Sequence, residues 1–207
     1  MSAVRGVPPG RAGRTWLSRR VRTAQHGASL LDRKLRILQA EAAGLRESAA
    51  QAAAEWDRSQ ASAGQWLLRA GLLEGQRAIR LSASESFADV TISYASTMGV
   101  RFPARTACAI PPAEGWDSPA VTMTRRAHRA ALAAAVRHAA AAEAVRVIEA
   151  EALATRYRLH AVRDRWIPRL EQALTEVIFA IEEQERADSA RLRLAAAGQE
   201  SLPRRYR

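Results

Sequence analysis

The chain reads as all-α: a long antiparallel two-helix coiled coil with a short β-hairpin or loop insertion at the turn. Three observations predict it. An apolar stripe with heptad spacing runs from Leu17 towards Leu73, and a second runs from Val145 to Ile181. Between them, a segment rich in β-branched residues and proline interrupts the helical pattern. Composition agrees, because 48% of the chain is hydrophobic but only 5% is aromatic, and alanine carries much of the apolar share. Alanine favours helix and fills a thick core poorly, which suits helices meeting along a narrow seam.

Residues 1–12, MSAVRGVPPGRA, read as a flexible basic tail because glycine and proline punctuate them. The first helix is expected over residues 13–82. Its stripe takes alternating steps of 4 and 3 through Leu17, Val21, Leu31, Leu35, Leu38, Leu45, Trp56 and Trp66, with alanines between and only Ser59 breaking it. That spacing is a heptad with apolar a and d positions, the signature of a left-handed coiled coil. At a rise of roughly 1.5 Å per residue such a helix is about 100 Å long. Gly64, Gly71 and Gly75 weaken its far end.

Residues 83–118 form the turn region. Segments 89–94 and 100–102 are strand-like, and Gly99, Val100 and Pro103 mark a Gly-containing turn, so a short hairpin is expected there. The stretch IPPAEGWDSP then leads to Ser118 and Pro119, an N-cap followed by proline at the first helical position. The second helix is expected over 119–197, with its stripe at Val145, Ile148, Leu159, Val162, Trp166, Leu170, Leu174, Val177 and Ile181. The two successive steps of 4 from Trp166 to Leu174 depart from the heptad. They coincide with Pro168, which removes a helical hydrogen bond and predicts a kink. Gly198 is a suitable helix end, leaving 198–207 as a second flexible basic tail.

The net charge of +11 is concentrated at the ends. Residues 1–36 carry nine cations against Asp32 alone, and residues 186–207 carry six against two acids, leaving the middle near neutral. An antiparallel fold brings the ends together as one basic tip, with Arg11, Arg14, Arg19, Arg20, Arg191 and Arg193 as its expected members. Lys34 is the sole lysine, and the preference for arginine is that of a GC-rich genome.

Chemistry is sparse. The sole lysine follows no glycine-rich loop, so no P-loop is present. The four histidines lack metal-ligand spacing, and Cys108, the one cysteine, has neither a disulfide partner nor a nearby histidine. Catalytic, metal and cofactor-binding residues are therefore expected to be absent. Ser18, Arg19 and Arg20 look faintly like a twin-arginine signal, but no apolar run follows. No run approaches the about 20 apolar residues of a membrane span, so a soluble intracellular protein without membrane insertion is expected. The basic tip allows nucleic-acid binding in principle, but few aromatics interleave with the arginines and no helix-turn-helix or zinc pattern exists. A coiled-coil scaffold, or a nucleic-acid-binding helical hairpin with a basic tip, stays open on these residues alone.

Three blocks in order resemble the D subunit of the V-type/A-type rotary ATPases. The first is Pro9, Arg11, Leu17, Arg20, Ala24 and Gly27, then LLDRK with Leu30, Leu31 and Lys34, where Asp32 departs from the family. The second is TMGVRFP, with Gly99, Val100 and Pro103. The third is TRYRLHAVRDRWIP followed by EEQER. It aligns Thr155, Arg156, Arg158, Ala161, Ile167, Pro168, Glu182, Glu183, Glu185 and Arg186, with departures at Tyr157, His160 and Arg163. The resemblance implies a non-catalytic central-stalk rotor that couples ATP hydrolysis or synthesis to proton or sodium translocation by transmitting torque. It implies a helical pair projecting into the hexamer of catalytic and nucleotide-binding subunits. The small F subunit of the rotor would bind the shaft, and the other end would seat in a funnel-shaped subunit on the membrane ring. The complex would hold the chain at the cytoplasmic face of the membrane, with no nucleic acid bound. As the turning point between two matched helices, the 89–106 stretch is expected at the end away from the basic termini, and the resemblance makes it better placed to touch the F subunit or modulate the hexamer's activity than to do chemistry.

Overall fold

The computed structural model describes residues 6–83, 87–112 and 118–200, with side chains through Ala196. Its elements are α1 (Gly10–Leu81), β1 (Asp89–Thr97), β2 (Val100–Ala109), α2 (Pro119–His160), a π-helix (Ala161–Trp166) and α3 (Ile167–Glu200). The architecture is two long helical arms joined by a two-stranded antiparallel hairpin, an all-α coiled coil with a small β insertion. The expected charges at Arg5, Arg204, Arg205 and Arg207, and residues 113–117 of the proline-rich stretch, lie outside the described residues.

The chain divides into two compact units. One is built from the described residues of Met1–Arg33 and Arg156–Arg207, the other from Lys34–Thr155. In the first, the opening turns of α1 run antiparallel to α3, with Arg11 beside Glu185 and Gln25 beside Glu171. Leu17, Val21 and Leu170 form its buried cluster, with Val7, Trp16, Ala24, Ala173, Leu174 and Val177 packed around it. Val7 and Pro8 fold back over α1, and the Pro8 carbonyl lies so close to Gly13 that any Cβ there would clash with it.

In the second unit the rest of α1 runs antiparallel to α2. Lys34 faces Glu151, Glu55 faces Arg137, and the Thr124 hydroxyl lies 2.9 Å from the Trp66 carbonyl. Its core is Leu38, Ala42, Phe102, Ala144 and Ile148. Ser118 caps α2, its Oγ accepting from the Val121 N–H at 3.3 Å, and Pro119 follows at a position where no N–H is needed.

Three features differ from the sequence expectation. The first is the α1 stripe, which stays shielded from Leu17 to Ala70 but fails at Leu73, which is exposed. Gly75 explains the failure, with φ 75° and ψ 166°, a backbone state open essentially only to glycine. The helix breaks there, so the turns around it leave the seam.

The second is the hairpin, whose strands of 9 and 10 residues extend well beyond segments 89–94 and 100–102. It does not cap the far end of the helices. Phe102, Val100 and Ala95 bring its tip back against Leu38 and Ile148.

The third is the seam near Pro168. The Ile167 N–H donates to the Val162 carbonyl, an i→i−5 bond, so the turn before the proline holds one extra residue. The stripe slips by one: Trp166, expected in the seam, stands 39% exposed, and Ile167 takes the shielded place ahead of the buried Leu170. The slip absorbs the two successive steps of 4 that the heptad could not. It also releases the carbonyl that a proline cannot serve.

Candidate functional site

The candidate sites among the described residues are surfaces. The hairpin is the most constructed of them. Met98 and Gly99, with φ 53° and 82°, are consecutive left-handed residues between Thr97 and Val100. This is the two-residue turn whose twist matches flanking strands. Thr97 pairs with Val100, Ala95 with Phe102 and Tyr94 with Pro103, after which Ser93 pairs with Arg105. Ala104 is thus the extra residue of a bulge beside Pro103. Phe102, 4% exposed, anchors the tip on both helices. Val90, Ile92 and Tyr94 stay exposed on the root, with the Arg101 guanidinium 4.3 Å over the Tyr94 ring.

Cross-helix polar contacts fix the register beneath the hairpin. Lys34 Nζ lies 2.9 Å from Glu151 Oε1, and both side chains are about three-quarters shielded, at 25% and 26% exposure. The hydroxyl of fully buried Thr155 reaches the same carboxylate at 3.5 Å. Arg46 with Glu149 and Arg137 with Glu55, each at 2.6 Å, are more exposed. Exposed pairs contribute about 0–1 kcal/mol each, so these set alignment more than stability. The Trp56 ring stacks on His138 with centroids 5.3 Å apart, and His138 Nδ1 is buried without a hydrogen-bond partner among the described residues. On the open face of α2, hydrogen bonds from Arg146 hold the Glu143 carboxyl below its ordinary value.

The basic residues are partly engaged. Arg11 pairs with Glu185 at 2.8 Å, Arg20 stacks 4.5 Å over Trp16, Arg191 pairs with Asp188 at 3.0 Å, and Arg193 Nε reaches the Ser189 carbonyl. Arg14 and Arg19 are exposed. Because Arg11 meets Glu185 within two residues of where α1 begins, α3 extends beyond it as a single helix, and residues 182–196 are exposed on every side. At the other end of α1, a groove of about 490 Å³ is lined by Leu67, Leu68, Gly71, Leu72, Gln76 and Ile79, with Leu72 87% exposed.

Of the expected seam residues, Leu17, Val21, Leu35, Leu38, Ile148, Leu159 and Leu170 are buried. Leu31, Leu45, Trp56, Trp66, Val145, Val162, Leu174, Val177 and Ile181 are half-buried. Trp166 is turned out. In the hairpin Gly99 makes the turn, Val100 touches the core and Pro103 is buried beside the bulge. Pro168 follows the π-helix, on an exposed position. Sequence reasoning gave no packing or pairing role to Phe102, Glu151 or Ile167, whereas Thr155, which stands on the stripe of the second helix, is fully buried. Phe102 and Ile167 are apolar neighbours of marked residues, whereas nothing in the spacing announces Glu151 as the partner of Lys34.

Among the described residues no group of three histidines, cysteines or acids lies close enough to hold a metal ion. No helix among them is long and apolar enough to cross a membrane. No curated protein matches the chain. The family model for the ATP synthase D subunit, however, matches residues 15–197. That span takes in both helical arms, the hairpin and the π-helix, so the chain belongs to the family of the ATP synthase D subunit.

Proposed function

We propose that the chain is the central-stalk rotor of a V/A-type rotary ATPase, transmitting torque between the catalytic hexamer and the ion-translocating membrane sector. The observation that carries this reading is the paired-helix construction in a family member. The shielded stripes face inward, and charged contacts between helices fix the register. Two mutually braced helices resist bending and twisting better than one. The chain then takes no part in the chemistry of ATP; it is moved by, or moves, the catalytic and nucleotide-binding subunits.

The exposed α3 extension with Arg191 and Arg193, together with Arg11, Arg14, Arg19 and Arg20, is the part assigned to the hexamer. Spread positive charge there attracts at long range without demanding one fixed contact. The hairpin is assigned to the small F subunit of the rotor. The apolar groove at Leu67 to Ile79 is assigned to the funnel-shaped subunit on the membrane ring, whose cytoplasmic face holds the chain peripherally. The π-helix before Pro168 supplies an irregularity suited to an eccentric shaft, one that presses the catalytic sites in turn.

Co-expression with the hexamer subunits tests the proposal. A stoichiometric complex with one copy of this chain, losing coupled ion pumping when Arg11, Arg14, Arg19 and Arg20 are reversed together, is the expected result. A chain that ignores the hexamer and instead binds DNA in a salt-sensitive way would overturn it.

A further inference from the structure

β1 and β2 form a sheet of two strands, so each keeps one unpaired edge. The two edges are not equivalent. β2 carries Arg101, Pro103, Arg105 and the bulge at Ala104. Charged residues, proline and bulges are the devices by which proteins blunt a free edge. β1 has no proline and no bulged residue, and its one charge, Asp89, stands at its first position. Its apolar residues alternate, placing Val90, Ile92 and Tyr94 on one face at 41–50% exposure. Such alternation marks a strand with one face covered. Yet residues 89–94 are all exposed, and contact with the helices begins only at Ala95.

We propose that β1 accepts a third strand: an extended segment of an acidic partner protein pairs with its free edge and lays alternate apolar side chains beside Val90, Ile92 and Tyr94. An unpaired edge offers hydrogen bonds only to an extended backbone, and the neighbouring apolar face selects the side chains. Charge selects the partner. Arg101, whose guanidinium lies over the Tyr94 ring on this face, pairs with no acid among the described residues, so the site carries a cation beside its apolar face. A second copy of this chain would bring the same cation and another +11, whereas carboxylates on a partner complement it. The inference rests on the hairpin being a partner-binding element, and it names the mode of binding.

The test compares amide exchange of the full chain alone with that of the chain in the complex co-purified with its other subunits. Alternate amides of residues 90–96 are expected to slow at least tenfold in the complex, while the β2 edge does not. The exposed substitutions Val90→Lys and Ile92→Lys are expected to cut retention of the partner at least tenfold without changing helical content. Protection of β2 or of the helices alone would overturn the third strand and leave partner docking standing. A hairpin that exchanges equally in both states would overturn the docking reading as well. Protection accompanied by a mass of two copies would assign the edge to self-pairing and overturn the acidic partner.

Discussion

Phe102→Ala should detach the hairpin from the helices without separating the helices from each other. Phe102 is the buried hydrophobic residue of the hairpin, seated among Leu38, Ala42, Ala144 and Ile148. Truncating a buried phenylalanine costs about 3–5 kcal/mol. A two-stranded hairpin has little stability of its own in water, so that loss falls on the docking equilibrium. At about 1.4 kcal/mol per tenfold, the undocked population rises roughly a hundred- to several-thousand-fold. The paired helices keep their cross-helix contacts at Glu55 and Thr124, far along the chain from the anchor. Limited trypsin digestion reads the difference. Cleavage after Arg101 and Arg105 should accelerate by that factor, while sites in α1 and α2 stay slow. Hairpin sites no faster than in the parent protein would refute the anchoring role. Helical sites accelerating equally would show that the hairpin is part of the global core rather than an appendage.

Ile148→Ala should lower stability by about 2–5 kcal/mol, whereas Trp166→Ala should change it by less than about 1 kcal/mol despite removing the larger side chain. Thermal melts of the two variants decide, and equal losses would contradict the slipped seam. Lys34→Met should destabilise by roughly 1–3 kcal/mol because the shielded Glu151 loses the Lys34 ammonium, and Glu151→Gln in the same chain should recover part of it. Urea titrations of the single and double variants measure this coupling. Gly13→Ala should cost about 1–3 kcal/mol by pushing the Pro8 carbonyl away and lifting Val7 from Leu17 and Val21, seen as a lower urea midpoint and faster exchange near Leu17. The Glu143 carboxyl titrates below its usual range because of Arg146. Its small contribution is therefore present at neutral pH and disappears as acid protonates it through that lowered value. Arg146→Ala should return the titration, followed by NMR, to the ordinary range.

Periodicity was enough to read the helical arms, because burial follows the heptad from Leu17 to Ala70 residue by residue, including the polar Ser59. The cap at Ser118 was legible for the same local reason: the hydroxyl and the following proline act within one turn. The hairpin was legible in kind but not in extent, since strand ends depend on the partner strand and on the Ala104 bulge, neither of which is a local property. Its return to Leu38 was hidden because docking is decided by Phe102 meeting a site more than fifty positions away in sequence. At Pro168 the broken heptad was visible, but nothing local announces the extra residue that the hydrogen bond from Ile167 to Val162 accommodates. The charged ends were legible as composition, yet their pairing, Arg11 with Glu185 and Arg191 with Asp188, depends on which helical faces meet.

The ion pair of Lys34 with Glu151 also makes the molecule its own recorder. A reagent that acylates amines finds one lysine side chain in the whole chain, and finds it free only while that pair is open. Once acylated, the nitrogen has lost its charge and the pair cannot re-form. Each molecule acylated at Lys34 is therefore a permanent record that the pair had opened, and the yield over time follows how much of the time this single point on the helices is open. The chain alone and the chain within its complex should leave different tallies.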